Sequence, residues 1–200
     1  MNKIPIILIY SRILIGILII LIGIGKVDNF KFWISILMIT GLLTDIFDGI
    51  IARKLKVSTQ KLRILDSNVD QFFWLTVMGT IFFLNINFIL DNIIWISIIS
   101  ILEISAYVIS YKKFSRSIAT HSILAKFWTI SLVAFLVDLT INSRSHTLFI
   151  ICVILGIISR AEIILIILNL KKWTTDVPSI LSVSKINRGI KIKKSKLFNS

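Results

Sequence analysis

Hydrophobic residues dominate this chain in six long runs, and short polar segments separate each run from the next. Each run has about the 20 residues that an α-helix needs to cross the hydrocarbon core of a bilayer. Helices are expected because unpaired backbone groups are costly in lipid. The pattern therefore predicts an all-α integral membrane protein with six transmembrane helices. The runs span residues 4–25, 30–52, 68–90, 92–111, 119–139 and 146–170.

The composition supports a membrane domain rather than a soluble one. Hydrophobic residues make up 56% of the 200 residues and charged residues only 16%, which is low for a soluble domain. We expect residues 1–173 to form one transmembrane domain, and residues 174–200 to form a basic cytoplasmic tail that contacts anionic lipid headgroups. The first run is too long for a signal peptide and contains Arg12, so we expect it to be retained as a helix.

The chain is strongly basic, with a formal net charge of +13. In a soluble protein this charge would suggest a nucleic-acid partner. Here the basic residues collect after the second, fourth and sixth hydrophobic runs, as the positive-inside rule describes for cytoplasmic loops. We therefore expect no nucleic acid, and we expect both termini and the loop between the second and third runs to be cytoplasmic.

Four of the ten acidic residues lie between positions 45 and 70, beside hydrophobic segments where charge is costly. Asp45 and Asp48 lie about 60° apart around a helix, and Asp66 and Asp70 share a face of a second helix. Two facing helices would direct all four carboxylates into a shared space. Such oxygen ligands suit hard divalent cations, Mg²⁺ or Mn²⁺, and two ions could bridge a pyrophosphate. The alternative is that these acids are ordinary residues at helix ends.

The stretch from Asp45 to Asp70 resembles the signature of the CDP-alcohol phosphatidyltransferase family, D-x2-D-G-x2-A-R-x8-G-x3-D-x3-D. The departure is Leu62, which stands where the family has a second glycine close to the nucleotide. The stretch HSILAKFWT is loosely similar, through Lys126 and Thr129, to phosphatidylglycerophosphate synthases. Seven of the eight fixed positions of the signature are present at the family's spacing: Asp45, Asp48, Gly49, Ala52, Arg53, Asp66 and Asp70.

The resemblance implies a six-helix CDP-alcohol phosphotransferase bundle, multi-pass in the inner cell membrane, with its active site at the cytoplasmic face. It implies an enzyme of phospholipid biosynthesis that moves a phosphatidyl group from CDP-diacylglycerol to an alcohol, releases CMP and forms a homodimer. Two Mg²⁺ or Mn²⁺ ions are the implied cofactors, and Asp70 is the implied general base. The implied metal ligands are Asp45, Asp48, Asp66 and Asp70, and the implied nucleotide contacts are Gly49, Ala52 and Arg53.

Ionisable residues within the hydrophobic runs usually face a bundle interior and a partner. We expect Lys126 and Arg160, with Arg116, to bind a phosphate on the acceptor alcohol, because Arg holds phosphate bidentately and Lys holds it as a point charge. The alternative is internal ion pairing of Lys126 or Arg160 with Glu103 or Glu162.

Glycerol 3-phosphate is the first choice of acceptor, and inositol phosphate and serine are alternatives within the same chemistry. A function of a different class also remains possible. The chain could be a small membrane carrier or a non-catalytic scaffold that keeps a metal site for structure. Its support is the glycine lost at Leu62 and the dispersed intramembrane charges. Arg12 is expected either to support the acidic residues or to extend to the membrane interface.

Overall fold

The computed structural model describes residues 4–55, 57, 59–116, 118, 122–175 and 177–190, without the side chains of Arg53 and Gln60. Within these residues every regular element is a helix, and no strand occurs. The helices, in chain order, are α1 (Ile4–Gly25), α2 (Phe30–Lys54), α3 (Gln60–Leu84), α4 (Ile86–Asp91), α5 (Ile93–Phe114), α6 (Ile123–Asn142), α7 (Thr147–Asn169) and α8 (Ile180–Asn187).

Five of the described helices are long and apolar enough to cross a membrane, namely α1, α2 as far as Ala52, α5, α6 and α7. This confirms the prediction of an all-α integral membrane protein. The 25 residues of α3 begin with a polar stretch that includes Lys61, Arg63, Asp66 and Asp70, so its apolar part is short for a full span. The sixth span therefore stays a prediction.

The bounds of α3 differ from the hydrophobic run that predicted it. The helix begins at Gln60, eight residues before the run, because Thr59 caps it with a side chain that accepts a hydrogen bond from the backbone N–H of Leu62, N to Oγ1 3.2 Å. It ends at Leu84, where the Asn85 side chain donates to the carbonyl of Ile81, 2.9 Å away. The third run is thus two helices, α3 and the short α4.

The chain divides into two compact units. The first unit comprises the described residues within 4–91 and 133–145, with α1 to α4 and the second half of α6. In this unit α1 packs against both α2 and α3. Gly41 of α2 lies directly against the buried ring of Phe73 of α3, where any Cβ would overlap the ring. The absence of a side chain at Gly41 therefore leaves room for the Phe73 ring between these two helices.

The second unit comprises the described residues within 92–132 and 146–190, with α5, the first half of α6, α7 and α8. The Lys113 side chain, at the end of α5, donates to the carbonyls of Ile167 and Leu168 at the end of α7, at 3.1 and 2.6 Å. Because α5 and α7 pack together and end at the same level, they run parallel. The helix α8, which the hydrophobic pattern does not predict, packs its buried Val183 against Leu170.

The tail predicted for residues 174–200 is described only as far as residue 190. Its first part contains α8, which contacts α7, and residues 191–200 lie outside the described residues. The boundary at residue 173 and the contact of the tail with lipid headgroups stay predictions.

Candidate functional site

The first unit brings together carboxylates from two helices. Asp45 and Asp48 lie on α2, Asp66 and Asp70 lie on α3, and both helices pack against α1. One carboxylate oxygen each from Asp45, Asp48 and Asp66 lies within 4.8 Å of the other two. Asp48 is buried, whereas the Asp45, Asp66 and Asp70 side chains are 31%, 22% and 20% exposed. The shared space expected from helical spacing is therefore present in the structure.

Arg12 of α1 lies at the centre of this acidic cluster, which we define as Asp45, Asp48, Asp66 and Asp70. The Arg12 side chain is fully buried, with Nη1 3.0 Å from Asp45 Oδ1 and Nη2 2.5 Å from Asp66 Oδ1. It also forms ion pairs with Asp48 and Asp70. A guanidinium has five N–H donors in a planar fork, so one arginine can contact several carboxylates. Of the two roles expected for Arg12, support of the acidic residues is confirmed.

The charges of these five side chains do not balance. Four carboxylates share the single guanidinium of Arg12. Two like charges about 5 Å apart repel by about 3 kcal/mol at an effective dielectric constant of about 20. The excess of negative charge favours the binding of further cations at the partly exposed carboxylates.

The acidic cluster fits a divalent cation by its donor chemistry. The donors are carboxylate oxygens, which Mg²⁺ and Mn²⁺ prefer. Their mutual separation of at most 4.8 Å for Asp45, Asp48 and Asp66 is comparable with that of oxygens on opposite sides of one ion, each about 2.1 Å from it. Asp70 reaches the same guanidinium and supplies a fourth carboxylate. The assignment of these residues as metal ligands stays a prediction.

The residues expected at the nucleotide flank the acidic cluster on α2. Ala52 is buried and Gly49 is partly buried, each one turn after an aspartate of the cluster. The Arg53 side chain lies outside the described part of the chain. Leu62, partly buried in the first turn of α3, lies one turn before Asp66 and therefore on the aspartate-bearing face of that helix. The departure from the family signature thus lies next to the acidic cluster.

The basic residues expected to bind the acceptor phosphate all belong to the second unit. Arg160 of α7 pairs with Glu103 of α5, Nε to Oε2 2.6 Å, which confirms one of the ion pairs considered as an alternative. Arg116 lies over the ring of Trp173, with its Cζ 5.0 Å from the ring centre. Lys126 is half-buried on α6. The assignment of Arg116, Lys126 and Arg160 to an acceptor phosphate stays a prediction.

Sequence reasoning missed two features of these sites. Arg12 was not recognised as the centre of the acidic cluster, although it is the single charged residue between Ile4 and Gly25 and a buried charge requires counter-charges. Trp128 of α6 was not singled out either, although its ring centre lies 4.1 Å from Arg160 Cζ. Tryptophan is the aromatic side chain that binds cations best, but the pattern gives no sign of which cation it meets.

Comparison with known proteins agrees with the geometry of the acidic cluster. The model of the CDP-alcohol phosphatidyltransferase family matches residues 2–174. The match extends over α1 to α7 and includes Arg12 and the four aspartates. No curated protein and no solved structure gives a significant match to this sequence. Because the family model covers nearly the whole chain, the chain belongs to the CDP-alcohol phosphatidyltransferase family.

Proposed function

We propose that this protein transfers a phosphatidyl group from CDP-diacylglycerol to glycerol 3-phosphate and releases CMP. Family membership makes it a CDP-alcohol phosphatidyltransferase, an enzyme of phospholipid synthesis. The five apolar helices among its described residues make it a multi-pass membrane protein. The convergence of four aspartates from α2 and α3 at one point supports the proposal most directly.

Enzymes of this family use a divalent metal. In our proposal Asp45, Asp48, Asp66 and Asp70 hold two ions, Mg²⁺ or Mn²⁺, whose charge stabilises the pyrophosphate and the departing CMP when they are bound. Arg12 holds the carboxylates close together from the side of α1 and partly offsets their repulsion. Gly49, Ala52 and Arg53 bind the nucleotide.

Asp70 acts as the general base in this proposal. One of its carboxylate oxygens accepts the proton of the acceptor hydroxyl while that hydroxyl oxygen bonds to the lipid-side phosphorus and the bond to CMP breaks. A base must reach the proton it removes, and the Asp70 side chain is 20% exposed, so an acceptor can approach it.

The acceptor and the surroundings of the enzyme are further parts of the proposal. Arg116, Lys126 and Arg160 bind the phosphate of the acceptor, for which guanidinium and ammonium groups are suited. Inositol phosphate is an alternative with the same phosphate chemistry, and serine is an alternative without it. The active site and both termini face the cytoplasm, as the basic loops indicate, and the enzyme is a homodimer.

The test is CMP release by the purified full-length protein from CDP-diacylglycerol, with Mg²⁺ or Mn²⁺ and a panel of acceptors. We expect CMP with glycerol 3-phosphate and a loss of about 10³-fold in Asp66→Asn, since a fixed electrostatic group contributes about that much. Asp138→Asn is the matched control, because Asp138 lies on α6 and accepts a hydrogen bond from Asn142, 2.6 Å away. Absence of CMP with every acceptor would overturn the proposal, and solute flux in vesicles would then favour a carrier.

A further inference from the structure

The second unit contains a buried cation with two partners from two other helices. We call Arg160, Glu103 and Trp128 the Arg160 cluster. The Arg160 Nε atom lies 2.6 Å from Glu103 Oε2, and the guanidinium carbon lies 4.1 Å from the centre of the Trp128 ring. The cluster therefore joins α7, α5 and α6 through one side chain.

The two charged partners differ in exposure. The Arg160 side chain is 10% exposed and the Glu103 side chain is 25% exposed. The ring of Trp128 covers one face of the guanidinium, which favours a fixed position for Arg160. Glu103 is thus the less buried of the two charged partners, and the aromatic contact holds Arg160 in place.

We propose that Glu103 determines acceptor specificity, because it is an internal counter-ion that the phosphate of the acceptor displaces from Arg160. This inference depends on the proposed role of Arg160 in acceptor binding. A buried arginine without a partner is strongly destabilising, so Glu103 neutralises Arg160 while no acceptor is bound. A phosphate carries more charge than a carboxylate and binds a guanidinium bidentately, so it can replace Glu103.

Because of this exchange, Glu103 should affect the binding of phosphorylated acceptors and of cationic acceptors in opposite directions. A phosphorylated alcohol competes with the Glu103 carboxylate for Arg160, and its affinity is lowered by that competition. An acceptor that carries an ammonium group and no anionic group does not compete with Glu103 for Arg160, and the Glu103 carboxylate attracts it. Glu103 therefore tunes the enzyme away from phosphorylated acceptors and toward uncharged or cationic ones.

The kinetic test is Glu103→Gln in the full-length protein. We expect the KM for glycerol 3-phosphate to fall about 10-fold, because the Glu103 carboxylate no longer competes for the guanidinium of Arg160, with kcat changed less than about twofold. Glu162→Gln is the matched control, because Glu162 is buried on α7 near Arg160 but accepts a hydrogen bond from the backbone N–H of Ile180, 3.3 Å away. Its KM should equal that of the wild type.

A second measurement needs no catalysis. Inorganic phosphate should raise the thermal unfolding midpoint of Glu103→Gln at about a 10-fold lower concentration than in the wild type. The same phosphate effect should disappear in the double variant Glu103→Gln, Arg160→Gln. If no version of the protein releases CMP, the proposed function fails, and the phosphate titration still decides the role of Glu103.

The inference would be overturned if the phosphate concentration needed to raise the thermal unfolding midpoint were the same for the wild type and Glu103→Gln, or higher for the variant. Glu103→Asp is the second variant if Glu103→Gln does not fold, because it keeps the charge and withdraws the carboxylate from Arg160. We expect Glu103→Asp to lower the phosphate concentration needed to raise the thermal unfolding midpoint by about threefold. If neither variant folds, the ion pair is purely structural and the inference is wrong. The same holds if Glu103→Asp leaves the required phosphate concentration unchanged.

Discussion

Arg12 and Arg160 are both buried arginines within membrane helices, but their surroundings differ in charge. Arg12 in the first unit shares its guanidinium among four carboxylates. Among the described residues of the second unit, Arg160 pairs with the carboxylate of Glu103 and contacts the ring of Trp128. The first site has an excess of negative charge, whereas the second is a neutral pair.

This difference in net charge indicates which kind of ligand each site favours. A cluster with surplus carboxylates gains from added cations, so the surroundings of Arg12 suit metal binding. A neutral pair gains nothing from a cation, and it accepts an anion only when that anion replaces its own carboxylate. In our proposal, two similar side chains therefore serve opposite kinds of recognition, and the predictions below test each of them separately.

The largest effect is expected from Arg12→Met. Removal of one partner from a buried ion-pair network costs about 3–5 kcal/mol, and here four carboxylates lose their shared cation. Thermal unfolding without divalent ions should show this loss, and added Mg²⁺ or Mn²⁺ should recover part of it by binding the freed carboxylates. Arg144→Met, at an exposed position between α6 and α7, is the control and should change little. A variant as stable as the wild type, or one that ions do not rescue, would contradict the role of the acidic cluster.

A smaller effect is expected from alanine at the two glycines that sit against aromatic rings. Gly41→Ala places a Cβ against the buried ring of Phe73, and overpacking of this kind costs about 1–3 kcal/mol. Gly156→Ala places a Cβ 2.7 Å from Trp128 Nε1, so it should instead weaken the phosphate response of Arg160. Gly79→Ala is the control, because nothing lies within 4 Å of its Cβ. Thermal unfolding with Mg²⁺ and with phosphate should show that each substitution disturbs the ligand response of one unit alone.

The smallest effect is expected from Leu62→Gly, which restores the family residue. Glycine in the first turn of α3 should lower stability by at most about 1 kcal/mol and leave Mg²⁺ affinity nearly unchanged. The KM for CDP-diacylglycerol should change, because Leu62 lies on the face of α3 that carries Asp66. A collapse of metal affinity would show instead that Leu62 supports the metal ligands and that the nucleotide lies elsewhere.

Much of the fold follows from the hydrophobic pattern, because transmembrane helices must be long and apolar. The bounds of α1 match the first run, while α3 starts earlier because Thr59 caps it through a local hydrogen bond. Hydropathy carries no information about such a cap. Hydropathy also does not predict α8, a helix of eight residues that packs against the end of α7.

The acidic cluster could be predicted because helical spacing fixes which side chains share a face. The sequence left two roles open for Arg12, because its position depends on how α1 packs against two other helices. The pairing of Arg160 with Glu103 was one of several that the sequence allowed, and tertiary packing selects among them. Local spacing therefore predicts which groups share one helix face, and packing decides which groups meet across helices.

The order of the helices along the chain bears on how the protein is made. Arg12 lies on α1, which precedes the helices that carry the four aspartates. Synthesis proceeds from the N-terminal end, so the counter-charge is available before α2 and α3 enter the lipid. Insertion of an unpaired carboxylate into a bilayer costs free energy, and an ion pair with Arg12 would lower that cost. We therefore expect the insertion of the first three helices to be coupled through Arg12.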